Sequence, residues 1–128
     1  MRALLDTHAF LWWTLEDPRL SDVARAVIEA EENEIFFSAA SAWEIALKAS
    51  RGSLTVPEPV ETYVPDRIAA YGFTPLAIGM RHALRVGSLP PIHADPFDRI
   101  LVAQSQVEDL PLLTADAAIN RYDVDTIW

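Results

Sequence analysis

Five short apolar runs, each followed or preceded by a stretch of helical character, limit what this chain can become more than any other feature. Arg2–Asp6, Glu34–Ser38, Phe73–Ala77, Leu110–Thr114 and Val124–Trp128 are too short for ordinary helices. Glu34–Ser38 in particular is rich in residues that fit a pleated surface. Between the runs, helices are expected from Ala9 to the Asp17-Pro18 stop and from Ser21 to about Glu31, the latter with Val23, Val27 and Ala30 inward. Others are expected from Ser41 to about Lys48, from Pro57 to Tyr71, through Val86, and from Asp95 to about Glu108, with a short one opening at Asp116. Gly52 and Gly72 suit the positions just past helix ends, and Asp95-Pro96 pairs an N-cap with Pro at the first helical position. Pro75 sends its strand to an edge. Strands alternating with helices predict an α/β fold in three layers. Its mostly parallel central sheet has about five short strands, with helices on both faces.

Length and composition narrow the class. A chain of 128 residues predicts one domain spanning 1–128, and 51% hydrophobic residues exclude a disordered chain. The absence of cysteine excludes a disulfide scaffold, a zinc finger and a thiol nucleophile together. Nineteen acids against ten Lys and Arg give a net charge of −9, the opposite of a free-standing basic-groove nucleic-acid binder. Such acidity marks either a plain solvated surface or carboxylates gathered around cations. Asp6 and His8 interrupt the first apolar run before a signal peptide can form, and no apolar stretch reaches the roughly 18 to 20 residues of a membrane span. A soluble, cytoplasmic protein with no membrane partner is expected.

In a parallel sheet the functional crevice lies at the carboxyl ends of the strands. Four acids fall there. Asp6 ends the first strand, Glu44 and Asp98 lie in the first turns of the third helix and the helix after the Pro-rich loop, and Asp116 sits just past the fourth strand. Three have plainer explanations when taken singly. Ser41-Ala42-Trp43-Glu44 reads as a capping box, Asp98 as an acid favoured by the helix dipole, and Asp116 as an N-cap. Asp6 shows no clear cap pattern. Together, four carboxylates at one crevice repel one another, and a cation is the usual remedy. Oxygen ligands without cysteine suit Mg²⁺ or Mn²⁺, and such ions suit phosphoryl chemistry.

At these residues the sequence resembles the PIN-domain ribonucleases, in particular the VapC-like toxins of bacterial type II toxin–antitoxin systems. The resemblance rests on Leu4-Leu5-Asp6-Thr7-His8-Ala9-Phe10-Leu11-Trp12-Trp13, on Ser41-Ala42-Trp43-Glu44-Ile45-Ala46-Leu47-Lys48, on Asp95-Pro96-Phe97-Asp98-Arg99-Ile100-Leu101-Val102-Ala103-Gln104 and, more loosely, on Leu112-Leu113-Thr114-Ala115-Asp116. The strings occur in family order and cover almost the whole chain. The resemblance implies a Mg²⁺- or Mn²⁺-dependent endoribonuclease that cuts RNA, is held inactive by a cognate antitoxin and works as a homodimer. The family's acidic quartet falls on Asp6, Glu44, Asp98 and Asp116, both as catalytic residues and as metal ligands.

Asp95, Thr7, Thr114 and Arg99 are accessory candidates. Asp95 reads first as the helix N-cap, Thr7 and Thr114 as hydroxyls able to orient a ligand or water, and Arg99 as a phosphate contact or an ion-pair residue. Lys48, the one lysine, and Arg51 suit the helix dipole where they stand. His8 reads as a helix-start histidine, and His82 and His93 form no constellation with any Ser or Asp. Trp12 and Trp13 are not expected to face one core together. Of the competing classes, a receiver domain needs a lysine near the last strand, and a haloacid-dehalogenase phosphatase needs an acid where His8 stands. A flap-type DNA nuclease would want extra segments to clamp a duplex. A non-catalytic module that sequesters RNA or a protein is the alternative from a different class.

Overall fold

The chain's first strand becomes the middle of its sheet. The computed structural model describes residues 1–128 and orders them as β1 (Arg2–Leu5), α1 (Thr7–Thr14), α2 (Asp22–Glu29), β2 (Glu34–Ser38), α3 (Ala39–Ser50) and α4 (Val60–Tyr71). β3 (Thr74–Leu76), α5 (Met80–Val86), α6 (Pro96–Glu108), β4 (Leu112–Leu113), a 3-10 turn (Ile119–Arg121) and β5 (Thr126–Ile127) follow. The sheet runs β3-β2-β1-β4-β5, and every pairing is parallel. Leu4 lies beside Phe36 and Leu112, and Leu5 beside Phe37 and Leu113. Successive side chains leave a strand on opposite faces, so this register sorts the apolar residues into two cores. Leu4, Phe36 and Leu112 meet Leu101 and Val102 of α6 on one face; Leu5, Phe37 and Leu113 meet Phe10, Ile45 and Tyr63 on the other. The result is the three-layer α/β architecture expected from the alternation, and β3, carrying Pro75, is an edge strand.

Several local expectations change. Ser21 caps α2 by accepting from the Ala24 amide, and this start turns Ala24 and Ile28 inward, while Val23 is 54% exposed. Ala30 lies past the last turn. α4 begins at Val60 rather than Pro57, because Pro59 occupies the cap and biases Glu58 away from helix. β4 is shorter than its apolar run because the Leu110 amide turns back to Ser105 O at the end of α6. Both Trp12 and Trp13 pack against the same core, from its two margins: Trp12 meets Trp128 edge-on at 5.7 Å and Trp13 meets Tyr71 at 5.4 Å. No helix is long and apolar enough to cross a membrane.

Candidate active site

β1 and β4 are neighbours whose chain connections depart in opposite directions, the place where an open α/β sheet leaves a crevice beyond its strand ends. Asp6 follows β1 directly. It is 4% exposed, and its Oδ1 accepts the Ala9 amide at 2.7 Å, so it is the N-cap of α1. The cap was hidden in the sequence because the helix begins at Thr7, with no loop between strand and helix. Burial raises the Asp6 pKa, and the nearby Asp116 charge adds to the rise. The Thr114 hydroxyl and the Ala9 amide work against it.

Glu44 has the reverse history. α3 starts at Ala39, with Ser38 as its N-cap accepting the Ala40 amide at 3.0 Å, so Ser41 and Glu44 lie inside the helix and form no capping box. Glu44 is 3% exposed, and both of its oxygens are engaged. The Thr7 hydroxyl donates to Oε1 at 2.6 Å, and the Lys48 ammonium donates to Oε2 at 2.5 Å. Ser41 Oγ lies 3.0 Å from the same Thr7 oxygen. The Glu44 hydrogen bond is the main cause of a raised Lys48 pKa.

The third group comes from the start of α6 and from the turn after β4. Asp95 caps α6, its Oδ1 accepting the amides of Phe97 at 2.8 Å and Asp98 at 3.4 Å. Asp116 Oδ1 accepts the amides of Ala118 at 2.8 Å and Ile119 at 3.2 Å, while the Thr114 hydroxyl accepts the Asp116 amide at 3.0 Å. One oxygen each of Asp98 and Asp116 faces a residue that the sequence left aside. His93 Nε2 lies 3.0 Å from Asp98 Oδ2 and 3.0 Å from Asp116 Oδ2. His93 Nδ1 accepts the Asp95 amide at 3.2 Å, which leaves the ring proton on Nε2, facing the two carboxylates. The one sequence signal was its place two residues before the Asp95-Pro96 helix start.

The loop that carries His93 is pinned from behind. The Tyr122 hydroxyl accepts the His93 amide at 2.8 Å and an Arg99 Nη1 hydrogen at 3.1 Å. Arg99 also donates to the carbonyls of Pro90, Val86 and Leu89, so its guanidinium is engaged in shaping this loop. His82 has a carboxylate partner too, Glu108 at 3.2 Å, remote in sequence from the acidic strings. His8 is exposed and stacks on Trp12 at 5.4 Å.

Electrostatics single out Asp98. Its pKa is pushed up to about 7, first by burial, then by the charges of Asp95 and Glu44, with His93 opposing. For Asp116 burial also pushes upward, but the His93 hydrogen bond and the two amides outweigh it and hold the pKa below the ordinary value. His93 is raised: burial opposes protonation, and the Asp116 hydrogen bond and the charge of Asp98 outweigh it. Donor atoms of His93, Asp98 and Asp116 all lie within 4.8 Å of one another, a spacing that suits one small divalent cation. Asp6 and Glu44 stand outside that triangle and reach it through their charges. A buried carboxyl pressed toward neutrality by two other acids is a site short of positive charge, and hard oxygen donors fit Mg²⁺ or Mn²⁺.

Comparison with known proteins agrees with the fold. The PIN domain family model matches residues 3–125. Ribonuclease VapC22 of Mycobacterium tuberculosis is 30% identical over 122 residues, 93% of this chain and 90% of that protein. Ribonuclease VapC16 of the same organism is 45% identical over 69 residues, 51% of this chain; that match spans 49% of the relative's own length. Among solved structures, VapBC2 from Rickettsia felis, bound to a DNA fragment from its promoter, superposes with a TM-score of 0.72. It covers 98% of this chain and 97% of its own at 14% identity, a likeness of fold.

Proposed function

The chain belongs to the PIN-domain family, and on that premise we propose that it is a metal-dependent endoribonuclease, the toxin of a type II toxin–antitoxin pair. The observation that carries the reading is the convergence of Asp98 and Asp116 at the strand-end crevice, with Asp6 and Glu44 adding charge beside them. Residues 1–128 act as one unit, supported by the pairing of β1 with both β2 and β4. An antitoxin partner, a cytoplasmic location and a homodimer complete the proposal. The antitoxin is supported by the likeness of fold to a toxin–antitoxin complex from Klebsiella pneumoniae, 22% identical with a TM-score of 0.60, and the other two by the family resemblance.

Asp98 and Asp116 would hold the cation, Mg²⁺ or Mn²⁺, with the buried acids Asp6 and Glu44 supplying negative charge beside it. When bound, it lowers the pKa of a coordinated water and neutralises charge building on the phosphate. The protein's own groups prepare that place. The Ala9 amide fixes the Asp6 carboxylate, the Thr114 hydroxyl favours its charged form, and the turn amides fix Asp116. The His93 Nε2–H bonds Asp116 Oδ2 and lies 3.0 Å from Asp98 Oδ2, so its positive end offsets the repulsion between the two acids. Glu44, locked between Thr7 and Lys48, contributes its charge to the crevice.

The test is cleavage of a mixed RNA pool with Mg²⁺, with Mn²⁺ and with EDTA, beside Asp6→Asn. Metal-dependent cutting that falls at least about 100-fold in a folded Asp6→Asn variant is expected, the scale of losing a main catalytic group. Wild-type rates in that variant would refute the assignment. RNA binding without cutting under any condition would favour the non-catalytic module.

A further inference from the structure

Beside the acidic crevice lies a second hollow, of about 240 Å³, between α1, the turn that follows it and the C-terminal half of α3. Its lining includes Thr7, His8, Trp12, Arg19, Lys48 and Ser53. In a chain with nineteen acids and ten Lys and Arg, this hollow gathers the sole lysine, an arginine and an imidazole against one lining acid, Asp17. It shares a wall with the active site, because Thr7 lines it while donating to Glu44.

The cationic groups are held in place with donors to spare. An ammonium has three N–H donors, and Glu44 Oε2 is the one protein partner of Lys48, whose side chain is 41% exposed. Arg19 bonds to Asp17 through Nε at 3.1 Å and Nη2 at 2.8 Å, which leaves Nη1 uncommitted. Its guanidinium lies 4.9 Å from the Trp12 ring, on which His8 also stacks. A helical i,i+4 ion pair accounts for Lys48 and Glu44 alone. It does not account for a second cation and an imidazole, fixed on one indole, facing the same space.

We propose that this hollow binds one nucleotide of a single-stranded RNA next to the scissile bond, with Lys48 and Arg19 donating to its phosphate. The proposal rests on the nuclease reading and names the substrate subsite of that same site. A polyanion approaching four carboxylates meets repulsion, and cations one side chain away from Glu44 offset it where the strand must lie. An acidic protein segment would also match the charge, but the wall shared with the acid cluster favours the molecule that the cluster acts on.

The test uses the full chain and a single-stranded RNA oligonucleotide. Lys48→Met should raise KM about ten-fold, the size of a charge-assisted hydrogen bond of ~1.4 kcal/mol. It should also flatten the slope of log(kcat/KM) against log salt by about 0.7, one phosphate contact on a single strand. Lys48→Arg should restore most of both. Arg19→Gln, which touches none of the four acids, should flatten the slope in the same direction. Lysine-selective ¹³C labelling gives one Cε–Hε signal, and adding the RNA to an Asp98→Asn background should move it. A fall in kcat with KM and salt slope unchanged would show that Lys48 merely steadies Glu44, and would overturn the proposal. RNA cut at normal rates while the Lys48 signal stays still would assign the hollow to a protein partner instead. No RNA binding and no cutting by the wild type would sink the nuclease reading, and this proposal with it.

Discussion

Replacing Asp98 with Asn should stabilise the protein, and by an amount that grows with pH. In the folded state the Asp98 pKa is pushed up to about 7 from an ordinary 3.8, and its side chain is 16% exposed. The folded state therefore holds its proton more tightly than the unfolded chain does. Below the unfolded pKa both states are protonated and nothing is lost. As pH rises toward 7, the unfolded chain releases the proton first and stability falls. At 1.36 kcal/mol per unit, the loss is about 2 kcal/mol at pH 5 and about 4 kcal/mol at pH 8. Asn carries no charge to desolvate, so the variant should recover most of that loss. Urea unfolding followed by tryptophan fluorescence in EDTA, at both pH values, measures it. The gain at pH 8 should exceed that at pH 5 by about 2 to 3 kcal/mol, the difference between the two figures. Saturating Mg²⁺ should narrow the gap, because a cation stabilises the ionised wild type. A pH-independent gain, or a loss at pH 8, would refute the account of a carboxyl strained by burial and by Asp95 and Glu44.

Three further outcomes follow from contacts already described. His93→Ala removes the one N–H that faces both Asp98 and Asp116, and should cost about 1.5 to 3 kcal/mol at pH 8 in EDTA by the same unfolding assay. His93→Gln should cost less if its amide reaches the same oxygens; equal stability of wild type and His93→Ala would count against the bridge. Thr7→Val leaves the buried Glu44 Oε1 without its hydroxyl donor and should lower stability by about 1 to 3 kcal/mol while reducing cleavage, measured together on one preparation. Gly72→Ala tests the end of α4, where φ is +68° and an added Cβ meets nothing within 4 Å. The cost should be backbone alone, about 1 kcal/mol by thermal unfolding, and a much larger loss would point to unseen crowding.

The alternation of strand and helix was legible because three of the five apolar runs stop at a polar residue, Asp6, Ser38 and Thr114, and because Pro75 is tolerated only at an edge. Ser21 and Asp95 could be read as caps, since each precedes a clear helical period. Asp6 could not, because no loop separates β1 from α1 to announce a helix start. Ser41 misled for the opposite reason. Ser38 and Ser41 both suit an N-cap, and the good helix formers Ala39 and Ala40 between them let the earlier one win. That three-residue shift moves Glu44 from a first-turn acid bonding backward to an interior acid gripping Lys48. His93 was invisible for a physical reason: its partners lie 5 and 23 residues away and are brought to it by a loop pinned on Tyr122 and Arg99. Single-residue spacing carries no trace of such a contact. The same holds for the hollow beside α1, whose cations come from two helices and a turn.

The central place of β1 also dates the protein's activity. Leu4 pairs with Phe36 on one side and with Leu112 on the other, so one flank of the first strand stays bare until Leu112 and Leu113 have been made. A nascent chain that ends before Leu112 already carries Asp6, Glu44 and Asp98, yet lacks both Asp116 and the strand that aligns it. Such a chain has no crevice. On the nuclease reading, the first cut therefore waits until β4 and Asp116 have been made, and a product truncated before Leu112 is expected to be inert.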